Sequence, residues 1–100
     1  MAGQVVTVVS ATVDPDREDE LAAAYQAVLE GDVHDGLLAS ALLRGDDNQW
    51  QIATVWHDRA ALDTVRAAPE PPAAPQVFRE VGADPRLAVF EVANAILRTG

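Results

Sequence analysis

The sequence predicts an α+β fold whose elements follow one another as β-α-β-β-α-β, one antiparallel sheet with its helices on one face. Three features predict it. A β-branched run opens the chain from Gln4 to Val13, and a hairpin pattern with a Gly-Asp-Asp-Asn tip occupies the middle. Stretches of helical composition then separate that hairpin from an apolar run on either side. With right-handed crossovers this order is the split βαβ, or ferredoxin-like, plan.

The first strand reads Gln-Val-Val-Thr-Val-Val-Ser-Ala-Thr-Val, a density of branched side chains that suits a pleated surface. Asp14-Pro15-Asp16 follows, with cap residues and a proline fitted to a first helical turn. Asp16, Glu18, Asp19 and Glu20 crowd the positive end of the helix dipole. Leu21, Tyr25, Val28 and Leu29 share one face of that helix, and Gly31 is placed to end it as a C′ residue. His34-Asp35-Gly36 turns the chain into a second strand, Leu37–Arg44. Gly45-Asp46-Asp47-Asn48 is a hairpin loop of residues that tolerate left-handed backbone. The third strand, Gln49–Trp56, sets Trp50, Ile52, Thr54 and Trp56 against Gln49, Gln51, Ala53 and Val55. Asp58 can cap a second helix running through Leu62 and Val65 to about Ala68. Pro69, Pro71, Pro72 and Pro75 break regular structure, and a short helix from Gln76 to Val81, ended by Gly82, comes after them. The last strand starts at Arg86 or Leu87, and its apolar pattern reaches as far as Leu97. The chain beyond the prolines is too short for a second domain, so residues 1–100 are expected to form one.

A sheet wet on one face alternates apolar and polar residues. These strands do not. Val5, Thr7, Val9 and Ala11 lie on one side of the first strand, with Val6, Val8 and Ser10 on the other. In the second strand Leu37 and Leu43 fall on one side and Leu38 and Leu42 on the opposite one. Helices cover one face only. The open face therefore calls for a second copy of the chain, closing a homodimer to which Ala93 to Leu97 would reach across.

With 16 acidic residues, 7 basic ones (all arginine) and a net charge of −9, the chain repels phosphate backbones and anionic membranes. Neither a nucleic-acid nor a membrane partner is expected. The absence of cysteine removes disulfides, thiolate metal sites and cysteine nucleophiles. No apolar run approaches the roughly 20 residues of a membrane span. Met1-Ala2-Gly3-Gln4 carries no basic region ahead of the first strand, so a cytoplasmic location is expected rather than a signal peptide.

The stretch Asp35-Gly36-Leu37-Leu38-Ala39-Ser40, then Leu43-Arg44, Trp50-Gln51-Ile52-Ala53-Thr54-Val55-Trp56 and Ala60-Ala61-Leu62, resembles the antibiotic-biosynthesis monooxygenase family. The tryptophan that ends the third strand, followed by a capped helix, carries most of that likeness. The resemblance implies a dimeric α+β barrel. Members of that family include cofactor-independent oxygenases of polyketide quinols, haem-degrading enzymes and many proteins of no known activity. The positions that would serve haem degradation, an Asn and an axial His, fall on Val9 and on or near Val65. Two further polar positions of the quinol oxygenases, an Asn and a Tyr, fall on Ile52 and Leu62, leaving Trp56 in common.

Oxygenation without a cofactor requires a substrate that becomes an electron-rich anion, a dry cavity, a proton acceptor and donors facing the developing oxyanion. Trp56 and His57 are the candidates for that chemistry, although strand alternation turns His57 away from Trp56. Thr7, Val9, Tyr25, Thr54 and Phe78 are the candidate ligand contacts for a small apolar or aromatic molecule. No cofactor is expected. No metal is expected either, since His34 stands in a turn with no second histidine at ligand spacing. Plain structural roles are also open to the singled-out residues: Trp56 and Tyr25 as core, Trp50 as packing or interface beside the hairpin, His57 as a surface side chain, Asn94 as a buried polar residue or a frayed strand edge. A non-catalytic ligand-binding or accessory dimer is the competing reading, as is a dimer whose cavity is filled by its own side chains.

Overall fold

In the computed structural model, which describes residues 3–31, 33–69 and 72–96, four strands and three α-helices appear in the expected order. β1 (Val5–Thr12), β2 (Leu37–Arg44), β3 (Gln49–Trp56) and β4 (Arg86–Glu91) form one sheet of order β2-β3-β1-β4 with every neighbouring pair antiparallel. α1 (Glu18–Glu30), α2 (Arg59–Ala67) and α3 (Ala73–Glu80) supply the covering layer. The ferredoxin-like plan is the observed one.

Local chemistry sets the element ends. The Asp14 carboxylate accepts from the Asp16 amide at 2.9 Å, and Pro15–Arg17 makes a 3-10 turn that leads into α1. Asp47 and Asn48 take positive φ (55° and 62°) at the hairpin tip, the geometry that a right-twisted two-strand ribbon favours. Asp58 caps α2 by accepting from the Ala61 amide at 2.8 Å. α3 ends in a Schellman motif: the Ala83 amide donates to Phe78 O and the Gly82 amide to Arg79 O, both at 3.0 Å, with Gly82 at φ +75°. Arg17 Nη2 donates to Glu80 O at 3.2 Å, so an α1 approach residue satisfies another carbonyl of the same helix end.

Four expectations need correction. Gly31 ends α1 with φ −87°, so its left-handed freedom is unused there. α3 starts at Ala73, not Gln76, and holds Pro75 in its first turn, where a missing amide leaves no helical bond unmade. A bulge between Leu37 and Ala39 adds one residue to β2 and inverts the alternation beyond it. Leu37 and Leu42 consequently face the helices, opposite Trp56 and Ile52, while Leu43 pairs Gln51 on the open face. Finally, β4 stops at Glu91; one more ladder bond joins the Val92 amide to Gln4 O, residues 93–96 are not strand, and Leu97 lies outside the described residues.

The interior divides in two. Under α1 and α3, Val9, Ala11, Val13, Leu21, Trp50, Ile52, Val77, Phe78 and Val81 pack together. Phe78, Leu21, Ile52, Val9 and Val13 are wholly enclosed, each contributing about 1.5–3 kcal/mol by leaving water. At the other end Val5, Trp56 and Leu62 form a smaller cluster with Leu37, Ala61, Val65 and Val89 against it. Arg44 stacks on Trp50, its guanidinium carbon 4.8 Å from the ring centroid, and reaches Glu18 at 3.6 Å, tying the β2 end to the start of α1. The opposite face of the sheet is bare in the single chain: Phe90 is 56% exposed, Leu38 49% and Leu43 44%.

Candidate functional site

Between the two apolar clusters the sheet contributes hydroxyls instead of hydrocarbon. Thr7 on β1 and Thr54 on β3 are cross-strand partners, and both are buried. A cavity of about 360 Å³ opens over them, between the sheet and the three helices. That volume is at the lower end of small-molecule sites, of order 300–1,000 Å³.

The hydroxyls form a chain across the sheet. Tyr25 Oη lies 2.8 Å from Ser40 Oγ, and Ser40 Oγ lies 3.3 Å from Thr54 Oγ1. A chain of three hydroxyls has one proton more than it can use internally, so one is left to offer a ligand oxygen. Beside it the Trp56 indole Nε1 donates to Thr7 Oγ1 at 3.0 Å, both groups buried. Thr7 accepts there, which frees its own proton as a further donor. Val9, Ile52 and Leu62 complete the apolar wall below, with Val28, Val65 and Val77 from the helices.

His34 is the cavity's imidazole. It lies edge-on to Trp56, ring centroids 6.1 Å apart at 66°. The Gly36 amide donates to His34 Nδ1 at 2.9 Å, so the neutral ring carries its proton on Nε2. The turn that holds it is tight. Leu37 N donates to His34 O at 3.0 Å, and His57 N donates to Gly36 O at 2.7 Å. A β-carbon on Gly36 would collide with Ala61 Cβ and crowd His34 Nδ1 at 3.2 Å. Glycine is what lets the turn sit on α2.

The expected site residues separate accordingly. Thr7, Val9, Tyr25, Thr54 and Trp56 all line the one cavity. His57 does not: its side chain is 66% exposed and meets Asp58 Oδ2 at 3.0 Å, since successive residues of a strand point to opposite faces. Phe78 is also absent from the lining, because the α3 face that carries it turns into the core while Val77 faces the cavity. Four polar lining residues lie outside the set expected from the sequence: His34, Ser40, Thr64 and Arg66. Ser40 has a legible signal, since the hairpin tip fixes Leu42↔Ile52 and, two residues on, Ser40↔Thr54.

The Ala61 amide, and then the His57 ring, hold the Asp58 carboxyl below its ordinary value. The Arg17 guanidinium does the same to Glu20. Among the described residues no cluster of three His, Cys, Asp or Glu side chains is arranged to hold a metal ion, and no helix is long and apolar enough to cross a membrane. Val9 and Val65, both on the cavity wall, bear no donor atom for a haem iron.

Residues 4–74 match the antibiotic biosynthesis monooxygenase family. No curated protein matches the chain. Among solved structures, a candidate antibiotic biosynthesis monooxygenase from Deinococcus radiodurans superposes with a TM-score of 0.74 at 17% identity, over 96% of this chain and 99% of that one. A cofactor-independent oxygenase from Streptomyces nogalater, in a single-residue variant, gives 0.71 at 22% identity over 97% and 100%. A haem-degrading protein from Mycobacterium tuberculosis gives 0.71 at 21% identity over 98% and 100%. At these identities the likeness extends to the fold.

Proposed function

The chain belongs to the antibiotic biosynthesis monooxygenase family, and from that membership we propose that its cavity binds a small aromatic or polyketide-type molecule and oxygenates it without a cofactor. The observation that carries the reading is the Trp56 indole, held by Thr7 at the edge of an apolar cavity that also presents the Tyr25–Ser40–Thr54 hydroxyls. An aromatic ligand would stack on Trp56 and place its oxygen toward the hydroxyl chain, a wall that binds rings and a polar line that orients them.

The reaction suited to such a site starts from an anthrone- or naphthol-type compound. Loss of a proton gives an electron-rich anion, which passes an electron to dioxygen. For an anthrone the ring methylene and one dioxygen become a carbonyl and one water. One oxygen atom enters the product, and the other leaves with the two methylene hydrogens. The substrate supplies all four electrons. The protein would exclude bulk water and stabilise the oxyanion through the freed protons of Thr7 and the hydroxyl chain.

A non-catalytic binding role is favoured by one specific feature. Val9, Ile52, Leu62 and Val65 make the wall hydrocarbon where polar groups would assist chemistry. Oxygen uptake decides between the two. Oxygenation predicts protein-dependent consumption of one dioxygen per anthrone, reduced by Trp56→Phe. Binding of the anthrone with no consumption above the uncatalysed rate would leave only the binding role.

The working unit of this reading is a cytoplasmic homodimer joined through the open sheet face. Its support is the row of exposed apolar side chains there, with Phe90, Leu38 and Leu43 the largest.

A further inference from the structure

Resting on the binding reading above, we infer that the ligand of this cavity is an acid: an aromatic molecule whose ionised carboxylate or phenolate oxygen is recognised by His34 and Arg66. Among the described lining residues Arg66 carries the full positive charge, and His34, with Nδ1 accepting from the Gly36 amide, is a neutral N–H donor; the other polar groups are hydroxyls and the Trp56 indole. The chain as a whole holds 16 acidic and 7 basic residues, so a described lining with an arginine and no carboxylate runs against its composition.

The two residues differ in what they supply. His34 is fixed. With Nδ1 occupied by the Gly36 amide and the ring set edge-on to Trp56, its Nε2–H is the donor left for a ligand. A ring bound against Trp56 is thereby brought beside a hydrogen-bond donor that needs no reorientation. Arg66, in the last turn of α2, stands at the exposed side of the cavity and supplies the full charge. Its placement near a helix C-terminus also has a structural use, because a cation there complements the helix dipole. Recognition of an anion is the additional role, and a guanidinium presents the paired donors that match a carboxylate. The same field would favour the ionised form of a phenol or enol, the form that reacts with dioxygen.

The test uses two probes of one shape and different charge, 2-naphthoate and 2-naphthamide, titrated into the full chain with Trp56 fluorescence as the readout, in a Trp50→Phe background. Naphthoate is expected to bind about tenfold more tightly than the amide, the effect of one charge-assisted hydrogen bond. Arg66→Gln should bring the two affinities together, Arg66→Lys should restore most of the difference, and naphthoate binding should weaken with salt while amide binding does not. His34→Gln tests the second donor and should weaken both probes without removing the preference. Equal affinity of the two probes for the parent protein overturns the inference and leaves the cavity as a neutral aromatic site. Failure of both probes to bind at millimolar concentration overturns the inference together with the binding reading. A preference that survives Arg66→Gln unchanged overturns the assignment to Arg66.

Discussion

The hydrogen bond from Trp56 to Thr7 fixes the indole at the edge of the cavity, and its contribution can be isolated. Trp56→Phe keeps an aromatic ring but removes the Nε1 proton that reaches Thr7 Oγ1 at 3.0 Å. Thr7→Val removes the acceptor and leaves the indole N–H without a partner. Both groups are buried, at 8% and 6% exposure, so neither orphan recovers its bond from bulk water. Each single substitution loses a bond worth about 1 kcal/mol net and adds the cost of one stranded polar group, while the double variant, Trp56→Phe with Thr7→Val, strands none. The double loss should therefore fall short of the two single losses added together by about 1 kcal/mol or more. For a domain of this length a shift of that size moves the unfolding midpoint by about 4–8 °C. Urea and thermal unfolding of the four proteins, followed by far-ultraviolet circular dichroism at one fixed protein concentration, measures the coupling. Losses that add to within about 0.3–0.5 kcal/mol would refute the reasoning, because they would mean the bond contributes nothing to the folded state.

Other outcomes rest on the same geometry. Gly36→Ala should destabilise the fold by about 1–3 kcal/mol through the collision with Ala61, and should shift the His34 ring resonances; an unchanged unfolding midpoint would show the turn has room. Gly82→Ala should lose about 1–2 kcal/mol, since φ of +75° is strained for alanine and its β-carbon would stand 3.2 Å from Arg17 Nη1. Phe90→Glu should leave the fold intact and yield a sedimenting species of 10.6 kDa, with the parent heavier; a parent already at 10.6 kDa contradicts the dimer. Asp58 has its native pKa held below the ordinary 3.8 by the Ala61 amide and His57. Its stabilisation is thus fully present above that ordinary value and lost as the pH falls through the lower native one. The stability difference between the parent and Asp58→Asn should shrink on acidification below about pH 4, and a difference constant down to about pH 2.5 would remove Asp58 from the acid response.

Much of the fold is legible in the sequence because period and capping chemistry agree. In β3 the alternation of Trp50, Ile52, Thr54 and Trp56 marks the buried face directly, and Asp58 marks the start of α2. The bulge at Leu37 to Ala39 is not legible, since leucines on both sides of it look alike whichever way they point. The early start of α3 is hidden by Pro72 and Pro75, which read as breakers until they are seen at a helix start, where they are tolerated. The cavity is half legible. Thr7, Val9, Tyr25, Thr54 and Trp56 come together because they lie on the buried faces of β1, β3 and α1. His34 reads as a plain turn residue, for nothing local shows that Gly36 allows the turn to close on α2 and bring the ring to Trp56. His57 has only its chain proximity to Trp56 to recommend it, and strand alternation sends it to the surface.

The two tryptophans offer the most direct test of where a ligand binds. Trp56 lines the cavity, whereas Trp50 is packed in the core beyond its lining. Titrating an anthrone- or naphthol-type compound into isotopically labelled protein should shift the indole N–H resonance of Trp56 and leave that of Trp50 in place. Shifts confined to the open sheet face, around Phe90 and Leu43, with the Trp56 resonance unmoved, would contradict a ligand site between sheet and helices.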